Sequence, residues 1–306
     1  MEDFAEYILN EKDYIQKMII AYYMSEKTGI YFDKSIVLRV EIARMFMNYA
    51  SLDVDQNKVL TAMLLCNCKK IDNVQKFDKI KTYAKEGAEY LATLGFDKDF
   101  CKICEGVNRY SELKNRKKES DILEVVDQFT GLILTREERD AFSDDSALVI
   151  LKERNLKNVT NRYLLDFILF IRAMENVHIR DNVDVPVIRK LAYLTEREPN
   201  TKSLIAKLGN RYSIEIDRLI QSEIKRQAEQ LLYSQKTVND NNDTSTDNKK
   251  TNRIEKTIES AQDVQKKIMT AHRYTRKLNK HNSNRALFSP EVANRVINHD
   301  TSYRFD

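Results

Sequence analysis

Apolar residues recur, from the start of the chain to about Tyr233, at the three- and four-residue spacings of helices. One set stands at positions i, i+3, i+4 and i+7: Val59, Ala62, Met63 and Cys66. This spacing places the four side chains on one face of a helix. The same spacing recurs across Ile36–Ala50, and Gly29 and Gly95 follow apolar runs where helices commonly end. The pattern predicts a succession of amphipathic helices.

The other helices are predicted from the same spacing and from the scarcity of helix breakers. The chain has six glycines and three prolines in 306 residues. Further helices are expected over these ranges: Asp3–Lys27, Ile80–Leu94, Asp99–Tyr110, Tyr163–Val177, a short helix between Pro186 and Pro199, and Thr201–Tyr233. Tyr163–Val177 is apolar nearly all round, which is typical of a helix at the centre of a bundle. The sequence therefore predicts an all-α fold.

The domain organisation follows from a change of composition near residue 234. Residues 1–34 predict an N-terminal helix packing on the core, 35–155 the main domain, and 156–234 a C-terminal helical part of the same core. In the stretch 238–252 only one side chain in fifteen is apolar. Such a stretch cannot offset the entropy of ordering it, so 235–252 is expected to be a disordered linker. Residues 253–306 form a flexible, basic and partly helical tail.

Composition and charge narrow the function classes. The formal charge of +4 arises from 51 basic and 47 acidic side chains, a balance that does not by itself indicate nucleic-acid binding. No apolar run approaches the about 20 residues of a membrane span, and the opening residues lack the pattern of a signal peptide. We expect a cytoplasmic protein. Its four cysteines are too few for a disulfide scaffold and are expected as free thiols.

One carboxylate lies in the middle of an apolar helix. Asp127 interrupts the run Ile122–Phe129, whose other members are mostly apolar. Burying a carboxylate is costly unless another group pairs with it. Asp127 is therefore the single residue that most clearly calls for a partner or a ligand.

Four segments, in order, match a known pattern. They are Leu38-Arg39-Val40, Leu64–Lys70 (LLCNCKK, against L-L-H-D-I-G-K), Tyr83–Leu91 (against H-P-E-I-G-A-E-I-L), and Ile122–Phe129 followed by Arg136 and Arg139. On these matches the span from about Ile36 to Leu151 resembles the HD superfamily of metal-dependent phosphohydrolases. Within it, the resemblance is to the HD-GYP branch, which hydrolyses cyclic di-GMP. The resemblance implies an HD-like helical bundle with a C-terminal helical extension.

The same resemblance implies that the metal ligands of the family are missing. The first histidine position falls on Ile36, the His-Asp pair on Cys66-Asn67, and the next histidine on Tyr83. The paired histidines fall near Tyr110 and Ser111, with Glu112 beside them, and no G-Y-P follows. Only Asp127 keeps its ligand type. The four histidines lie outside the matched span: His178, His272, His281 and His299. We therefore expect a pseudoenzyme without a cofactor, with a degenerate pocket at Cys66, Asn67, Tyr83, Tyr110, Ser111, Glu112 and Asp127.

Two interpretations of Asp127 stay open. It is either a relic metal ligand or a structural carboxylate satisfied by Arg39, Lys70 or backbone donors. In the second case, Tyr83 and Tyr110 fill the former cavity with aromatic bulk. A partly filled cavity would still bind a nucleotide without cleaving it. A divergent phosphohydrolase, with a divalent metal held around Asp127 and Glu112, is the enzymatic alternative.

The cysteines offer a second metal hypothesis. Cys66 and Cys68 form a C-x-C, Cys101 and Cys104 form a C-x-x-C, and four thiolates would suit a structural zinc ion. Zinc-binding pairs usually lie on knuckle turns, whereas these lie on predicted helices or at their ends. Packing as small apolar side chains is the competing interpretation.

The basic tail is the expected contact surface. Arg273, Tyr274, Arg276 and Lys277 combine positive charge with an aromatic ring, as nucleic-acid-binding segments often do. RNA or an anionic surface is one predicted partner, and a solvated helix face is the alternative. The function that the sequence favours is a regulatory or scaffolding protein that binds a protein partner.

Overall fold

A computed structural model of the chain describes residues 2–70, 82–108, 116–137, 139–156, 161–180 and 184–240. It confirms the predicted all-α fold. The chain divides into two compact units, residues 1–226 and 227–306. The predicted tail, including Arg273, Tyr274, Arg276 and Lys277, lies outside the described residues, as does the predicted linker beyond Asp240. In the described part, no helix is both long enough and apolar enough to cross a bilayer.

The described residues form a series of α-helices. They are α1 Glu2–Asn10, α2 Tyr14–Thr28, α3 Lys34–Ala50, α4 Gln56–Leu65, α5 Tyr83–Thr93, α6 Lys98–Glu105, α7 Lys118–Ile133, α8 Asp144–Leu156, α9 Leu164–Met174, α10 Val187–Arg197, α11 Thr201–Lys207 and α12 Ser213–Asp240. A π-helical turn, Leu208–Tyr212, joins α11 to α12. The strands β1 His178–Arg180 and β2 Asp184–Pro186 stand between α9 and α10.

Aspartate side chains cap the starts of several helices, and two predicted glycines follow the ends of two helices. Carboxylate oxygens of Asp33, Asp55 and Asp97 accept the first free amides of α3, α4 and α6. Gly29 follows α2 at φ 67°, and Gly95 follows α5 at φ 92°. A glycine reaches this left-handed region without a steric penalty. Gly29 and Gly95 thus lie at helix ends, as the sequence predicted.

The centre of the first unit is α3. This helix packs against α4, α7, α9, α10 and α11, and it is buried nearly all round. The phenyl rings of Phe46 and Phe167 lie 5.1 Å apart in an edge-to-face arrangement, and Phe129 lies 5.4 Å from Phe167. The prediction that Tyr163–Val177 is the central helix is wrong, since α9 leaves Leu165 48% exposed. Exposed apolar side chains are common in proteins, so a helix that is apolar nearly all round need not be central.

The N-terminal segment is broken where a single helix was predicted. Asp13 ends the break between α1 and α2 by accepting hydrogen bonds from the amides of Ile15 and Gln16. No glycine or proline marks this break, so periodicity alone could not locate it. The fully buried Lys17 joins the two helices to α4, because its amine donates to the carbonyl of Ile8 and to Thr61 Oγ1, the latter at 2.7 Å. Burial lowers the pKa of Lys17 to about 8.

Three further boundaries differ from the predictions. The helix expected over Asp99–Tyr110 ends at Glu105, before Gly106. A two-stranded antiparallel hairpin, with His178 opposite Pro186, follows α9 where only a connection was expected. Helix α12 continues to Asp240, so the predicted linker at 235–252 begins too early. Extending an existing helix fixes one residue per added hydrogen bond, which lets polar residues continue it.

Candidate functional site

The residues of the predicted pocket that the structure describes meet where α3, α4 and α7 pack together. Arg39 lies in the middle of α3, and Asp127 lies in the middle of α7. Cys66 caps the C-terminal end of α4, and the turn that follows carries Asn67 and Lys70. The side chains of Asn67 and Lys70, on this turn, approach Asp127. Arg39 approaches the same carboxylate from α3.

Asp127 is surrounded by donors from the protein. Arg39 Nε lies 2.9 Å from Asp127 Oδ1, and Asn67 Nδ2 donates to the same oxygen at 2.9 Å. Lys70 Nζ donates to both carboxylate oxygens, at 3.3 and 3.4 Å. Burial alone would raise the pKa of Asp127, but the positive charges of Lys70 and Arg39 outweigh it and hold the pKa well below its usual value. The carboxylate is therefore ionised and paired.

Among the described residues, three buried polar atoms of this cluster have no hydrogen-bond partner: Arg39 Nε, Arg39 Nη1 and Asn67 Oδ1, the first two donors and the last an acceptor. Arg39 Nε is close enough to Asp127 for an ion pair but is not aligned for a hydrogen bond. Most buried polar groups in folded proteins have a partner. The cluster is thus well neutralised in charge but incompletely hydrogen-bonded.

The charge of a second carboxylate, Asp33, also acts on Arg39. Asp33 caps α3 and accepts hydrogen bonds from the hydroxyls of Ser35 and Tyr31. Burial acts to lower the pKa of Arg39, but the negative charges of Asp127 and Asp33 raise it overall. The Tyr31 amide also donates to the carbonyl of Cys68 at 3.0 Å, which ties the start of α3 to the turn after α4. The sequence did not predict Asp33 as a partner of Arg39.

Cys66 and Tyr83 adjoin the ion pair without contributing a charge. The Cys66 thiol is fully buried, lies 3.8 Å from the Met63 carbonyl and has its pKa raised by burial. Tyr83 begins α5 and is 7% exposed, with Lys70 Nζ 5.5 Å from the centre of its ring. Both side chains therefore occupy space near Asp127. The other predicted pocket residues, Tyr110, Ser111 and Glu112, lie outside the described residues.

The two downstream arginines act on the end of α7. A Cβ atom added at Gly131 would come within 2.8 Å of Arg136 Nη2, so the glycine makes room for that guanidinium. Arg139 donates to the carbonyls of Leu132, at 3.1 Å, and of Gly131. These carbonyls belong to the last turn of the helix, where intrahelical donors run out. At least Arg139 therefore serves as a helix cap.

The four cysteines are all buried. The thiols of Cys68 and Cys101 lie within hydrogen-bond distance of the carbonyls of Gly87, at 3.6 Å, and Phe96, at 3.7 Å. Burial, with smaller effects from Cys66 and the other two thiols, raises the pKa of Cys104. Zinc binds thiolates, which such surroundings disfavour. Within the described ranges, no three His, Cys, Asp or Glu side chains are grouped to hold a metal ion.

A second buried ionic cluster, absent from the sequence predictions, lies nearer the start of α7. The Asp121 carboxylate accepts hydrogen bonds from Arg116 Nε and from Arg162 Nε, each at 2.6 Å. Glu124 accepts from Arg116 Nη2 at 2.8 Å and from Asn161 Nδ2 at 3.0 Å. Two acidic residues three positions apart, on either side of the apolar pair Ile122 and Leu123, were the available signal. We call this group the Asp121 cluster, and the group of Arg39, Asn67, Lys70 and Asp127 the Asp127 cluster.

Comparison with known proteins leaves the family open. No protein-family model, curated protein or solved structure matches the chain. The resemblance to the HD superfamily therefore stays a prediction based on four short segments. The geometry of the two clusters is what bears on function.

Proposed function

We propose that the protein is a catalytically inactive, HD-like cytoplasmic protein with a regulatory or scaffolding role, which binds a protein partner. The observation that carries the proposal is the Asp127 cluster. The only carboxylate that keeps its ligand type in the resemblance is paired with two cationic side chains of the protein itself. Arg39 and Lys70 pair with the carboxylate that a metal ion would need, so the proposal includes no metal cofactor.

Electrostatics supports this interpretation. A divalent cation about 4 Å from Arg39 or Lys70 would be repelled by about 8 kcal/mol for each charge, at an effective dielectric constant of about 20. Binding a metal at Asp127 would also require breaking the contacts of Arg39, Asn67 and Lys70 with the carboxylate. Arg39 is 4% exposed, so it has little room to move away.

The neighbouring donor atoms also suit a metal poorly. Asn67 directs its amide nitrogen, which does not ligate, at Asp127. Cys66 is held as a neutral thiol, and Ile36 has no donor atom. Histidine and carboxylate oxygen are the usual ligands of such polynuclear sites. The described side chains therefore do not fit a two-metal phosphohydrolase centre.

Metal content and hydrolysis test the inactive assignment. The purified full chain is incubated with Mn²⁺ or Fe²⁺, desalted and analysed for bound metal, then assayed against cyclic di-GMP. We expect neither stoichiometric metal nor turnover. One or more equivalents of metal, together with turnover that is lost in Asp127→Ala, would overturn the proposal in favour of a divergent phosphohydrolase.

The partner is tested with charge reversals in the full chain. A variant carrying Arg273→Glu, Arg276→Glu and Lys277→Glu is compared with wild type by cross-linking and purification under identical conditions. We expect one protein partner to be lost from the variant. The control reverses three exposed lysines of the first unit: Lys85, Lys102 and Lys202. Capture of RNA instead of protein, with an affinity that falls steeply with salt, would favour nucleic-acid binding.

A nucleotide is a second candidate ligand of the Asp127 cluster. The observation that favours it is the buried donor Arg39 Nη1, which lacks a hydrogen-bond partner beside the partly exposed Lys70. Calorimetric titration of the full chain with cyclic di-GMP and with GMP, without added metal, tests it. Binding that persists unchanged in Lys70→Met would place the nucleotide elsewhere.

A further inference from the structure

A cleft separate from the Asp127 cluster lies between α12 and the start of β1. Its volume is about 470 Å³, within the range of about 300–1,000 Å³ that is usual for small-molecule sites. One wall is a face of α12 within residues 215–226, where the lining residues recur at helical spacing, and the other is formed by residues 176–178. The cleft is therefore large enough for a small organic molecule.

Three ionisable side chains of the cleft are engaged by partners within the protein. Glu223 accepts hydrogen bonds from Arg226 Nε at 2.7 Å and from Arg226 Nη2 at 2.6 Å. His178 Nδ1 lies 2.9 Å from Asp184 Oδ1, and His178 Nε2 lies 3.0 Å from the carbonyl oxygen of Glu175. These contacts hold the three side chains in place and account for their charged groups.

The two other charged residues of the cleft, Glu215 and Arg218, are of opposite sign. Positions three apart on a helix are close enough for an ion pair. Among the described residues, however, Glu215 and Arg218 pair neither with each other nor with a third group. Glu215 is partly exposed and Arg218 is exposed. The cleft thus offers a carboxylate and a guanidinium whose hydrogen-bonding capacity is unused by the protein.

Neutral side chains lie beside these two charges. Leu219 follows Glu215 by one helical turn and is partly exposed, so it offers apolar surface to the cleft. Ser222 and Asn176 stand on opposite walls, and both are exposed polar side chains. Residues three or four apart on a helix have Cβ atoms about 5–6 Å apart. One small molecule can therefore contact Glu215, Arg218 and Leu219 together.

We propose that this cleft binds a free α-amino acid with an aliphatic side chain. The ammonium group meets Glu215, the carboxylate meets Arg218 through charge-assisted hydrogen bonds, and the side chain packs on Leu219. A simple amine would leave Arg218 unused, and a simple carboxylate would be repelled by Glu215. An inorganic ion would satisfy one charge and leave the other. This site is independent of the inactive assignment of the Asp127 cluster.

Calorimetric titration of the full chain with L-leucine tests the proposal. We expect saturable binding of one equivalent by wild type. Glu215→Gln and Arg218→Gln should each weaken binding about tenfold, because each removes one charge-assisted contact. Ser222→Trp places a bulky ring in the cleft and should abolish binding. Circular dichroism and melting of each variant show that the fold is retained.

Two analogues of leucine assign each charge to its partner. Leucinamide keeps the ammonium but lacks the carboxylate, and N-acetylleucine keeps the carboxylate but lacks the ammonium. Wild type should bind each of them about tenfold more weakly than leucine. Glu215→Gln should narrow the difference between leucine and N-acetylleucine, whereas Arg218→Gln should narrow the difference between leucine and leucinamide. A loosened α12 would not produce these two opposite preferences.

The matched control is a second pair of opposite charges on a helix outside the cleft. Lys85 and Glu89 lie four positions apart on α5, and both are exposed. Lys85→Gln and Glu89→Gln change the net charge in the same ways as Arg218→Gln and Glu215→Gln. Both control variants should bind leucine as wild type does.

Several results would overturn the proposal. One is the absence of saturable binding by wild type, and another is leucine binding that is unchanged in Glu215→Gln and Arg218→Gln. Equal weakening in the control variants would show that binding responds to net charge alone. Binding of leucinamide or N-acetylleucine as tight as that of leucine would remove the requirement for both charges.

Discussion

Helix α7 carries two buried ionic clusters that differ in how completely they are satisfied. In the Asp121 cluster, two arginines and an asparagine donate to Asp121 and Glu124 at 2.6–3.0 Å. In the Asp127 cluster, two cations and an asparagine surround one carboxylate, yet Arg39 Nη1 and Asn67 Oδ1 have no hydrogen-bond partner among the described residues. Among those residues, the first cluster leaves no buried polar atom without a partner, whereas the second leaves both a donor and an acceptor unused.

The two clusters show two ways in which a folded protein accommodates a buried carboxylate. The Asp121 cluster has the composition of a structural network, because each polar group fixes another. The Asp127 cluster neutralises one carboxylate with two cations, Arg39 and Lys70. These contacts are the ones expected under the second interpretation that the sequence left open, in which Asp127 is a structural carboxylate satisfied by Arg39, Lys70 or backbone donors.

Removing Asp127 should have the largest effect on stability. Asp127→Ala leaves the buried Arg39 without its nearest carboxylate, and we expect a loss of about 3 kcal/mol, the lower end of the range for a broken buried pair, because Asp33 stays nearby. Lys70 is partly exposed and can turn to water. Urea unfolding measures the loss.

Asp99→Ala is the matched control for that measurement. Asp99 pairs with Lys58 at 3.1 Å and with Lys117, but its side chain is 50% exposed. Its loss should stay within about 1 kcal/mol. Equal effects of Asp99→Ala and Asp127→Ala would contradict a structural role for the Asp127 pair.

Acid should weaken the protein through Asp127. Its folded pKa lies below the unfolded value of about 3.9, so the native state releases the proton more readily. The stabilisation is complete above about pH 4 and is lost as the pH falls further towards the folded pKa. Urea unfolding at pH 7, 5 and 3 should show a smaller acid loss in Arg39→Met/Asp127→Leu than in wild type. Parallel losses in the two proteins would assign the acid sensitivity to other carboxylates.

The two asparagines give the most direct comparison of the clusters. Asn161→Ala removes hydrogen bonds to the Asp121 carbonyl and to Glu124, both buried, and should cost about 2 kcal/mol. Asn67→Ala removes one hydrogen bond to Asp127 but also removes an acceptor that has no partner, so it should cost about 1 kcal/mol. Thermal and urea unfolding give both values. A larger loss for Asn67→Ala than for Asn161→Ala would contradict the conclusion that the Asp121 cluster is the more completely hydrogen-bonded of the two.

The smallest effect is expected when both members of the ion pair become apolar. Arg39→Met/Asp127→Leu removes the unpaired charge as well as the pair, so its stability should lie within about 1 kcal/mol of wild type. The measurement is again the urea midpoint and slope. A loss as large as that of Asp127→Ala would show that the charge attraction between Arg39 and Asp33 contributes more to stability than the pair of Arg39 with Asp127.

Much of the fold could be predicted because it depends on local chemistry. Val59, Ala62, Met63 and Cys66, which the spacing placed on one face of α4, are fully buried, although the residues between them are buried as well. Gly29 and Gly95 identified helix ends. The break at Asp13 carries no glycine or proline, and β1 and β2 are only three residues each, too short for an alternating pattern, so neither was predicted.

Part of the Asp127 cluster could be predicted from the sequence. The sequence named Asp127 with Arg39 and Lys70 as its partners, and both contacts are present. It did not anticipate that Asn67 would donate to the same oxygen or that Asp33 would share Arg39. Nor did it find Arg116 and Arg162. Arg116 stands five positions before Asp121, outside the helix, and Arg162 reaches Asp121 from 41 residues further on, so neither contact follows a helical spacing.

Lys17 offers a way to follow the opening of the N-terminal helices in time. Its amine is fully buried between α1, α2 and α4, so an acylating reagent can reach it only when these helices separate. Where opening and closing are fast relative to acylation, the fraction labelled reports the free energy of local opening. Mass spectrometry of this one lysine, against the exposed Lys85 as reference, would therefore record how often the N-terminal helices detach from a molecule that is otherwise folded.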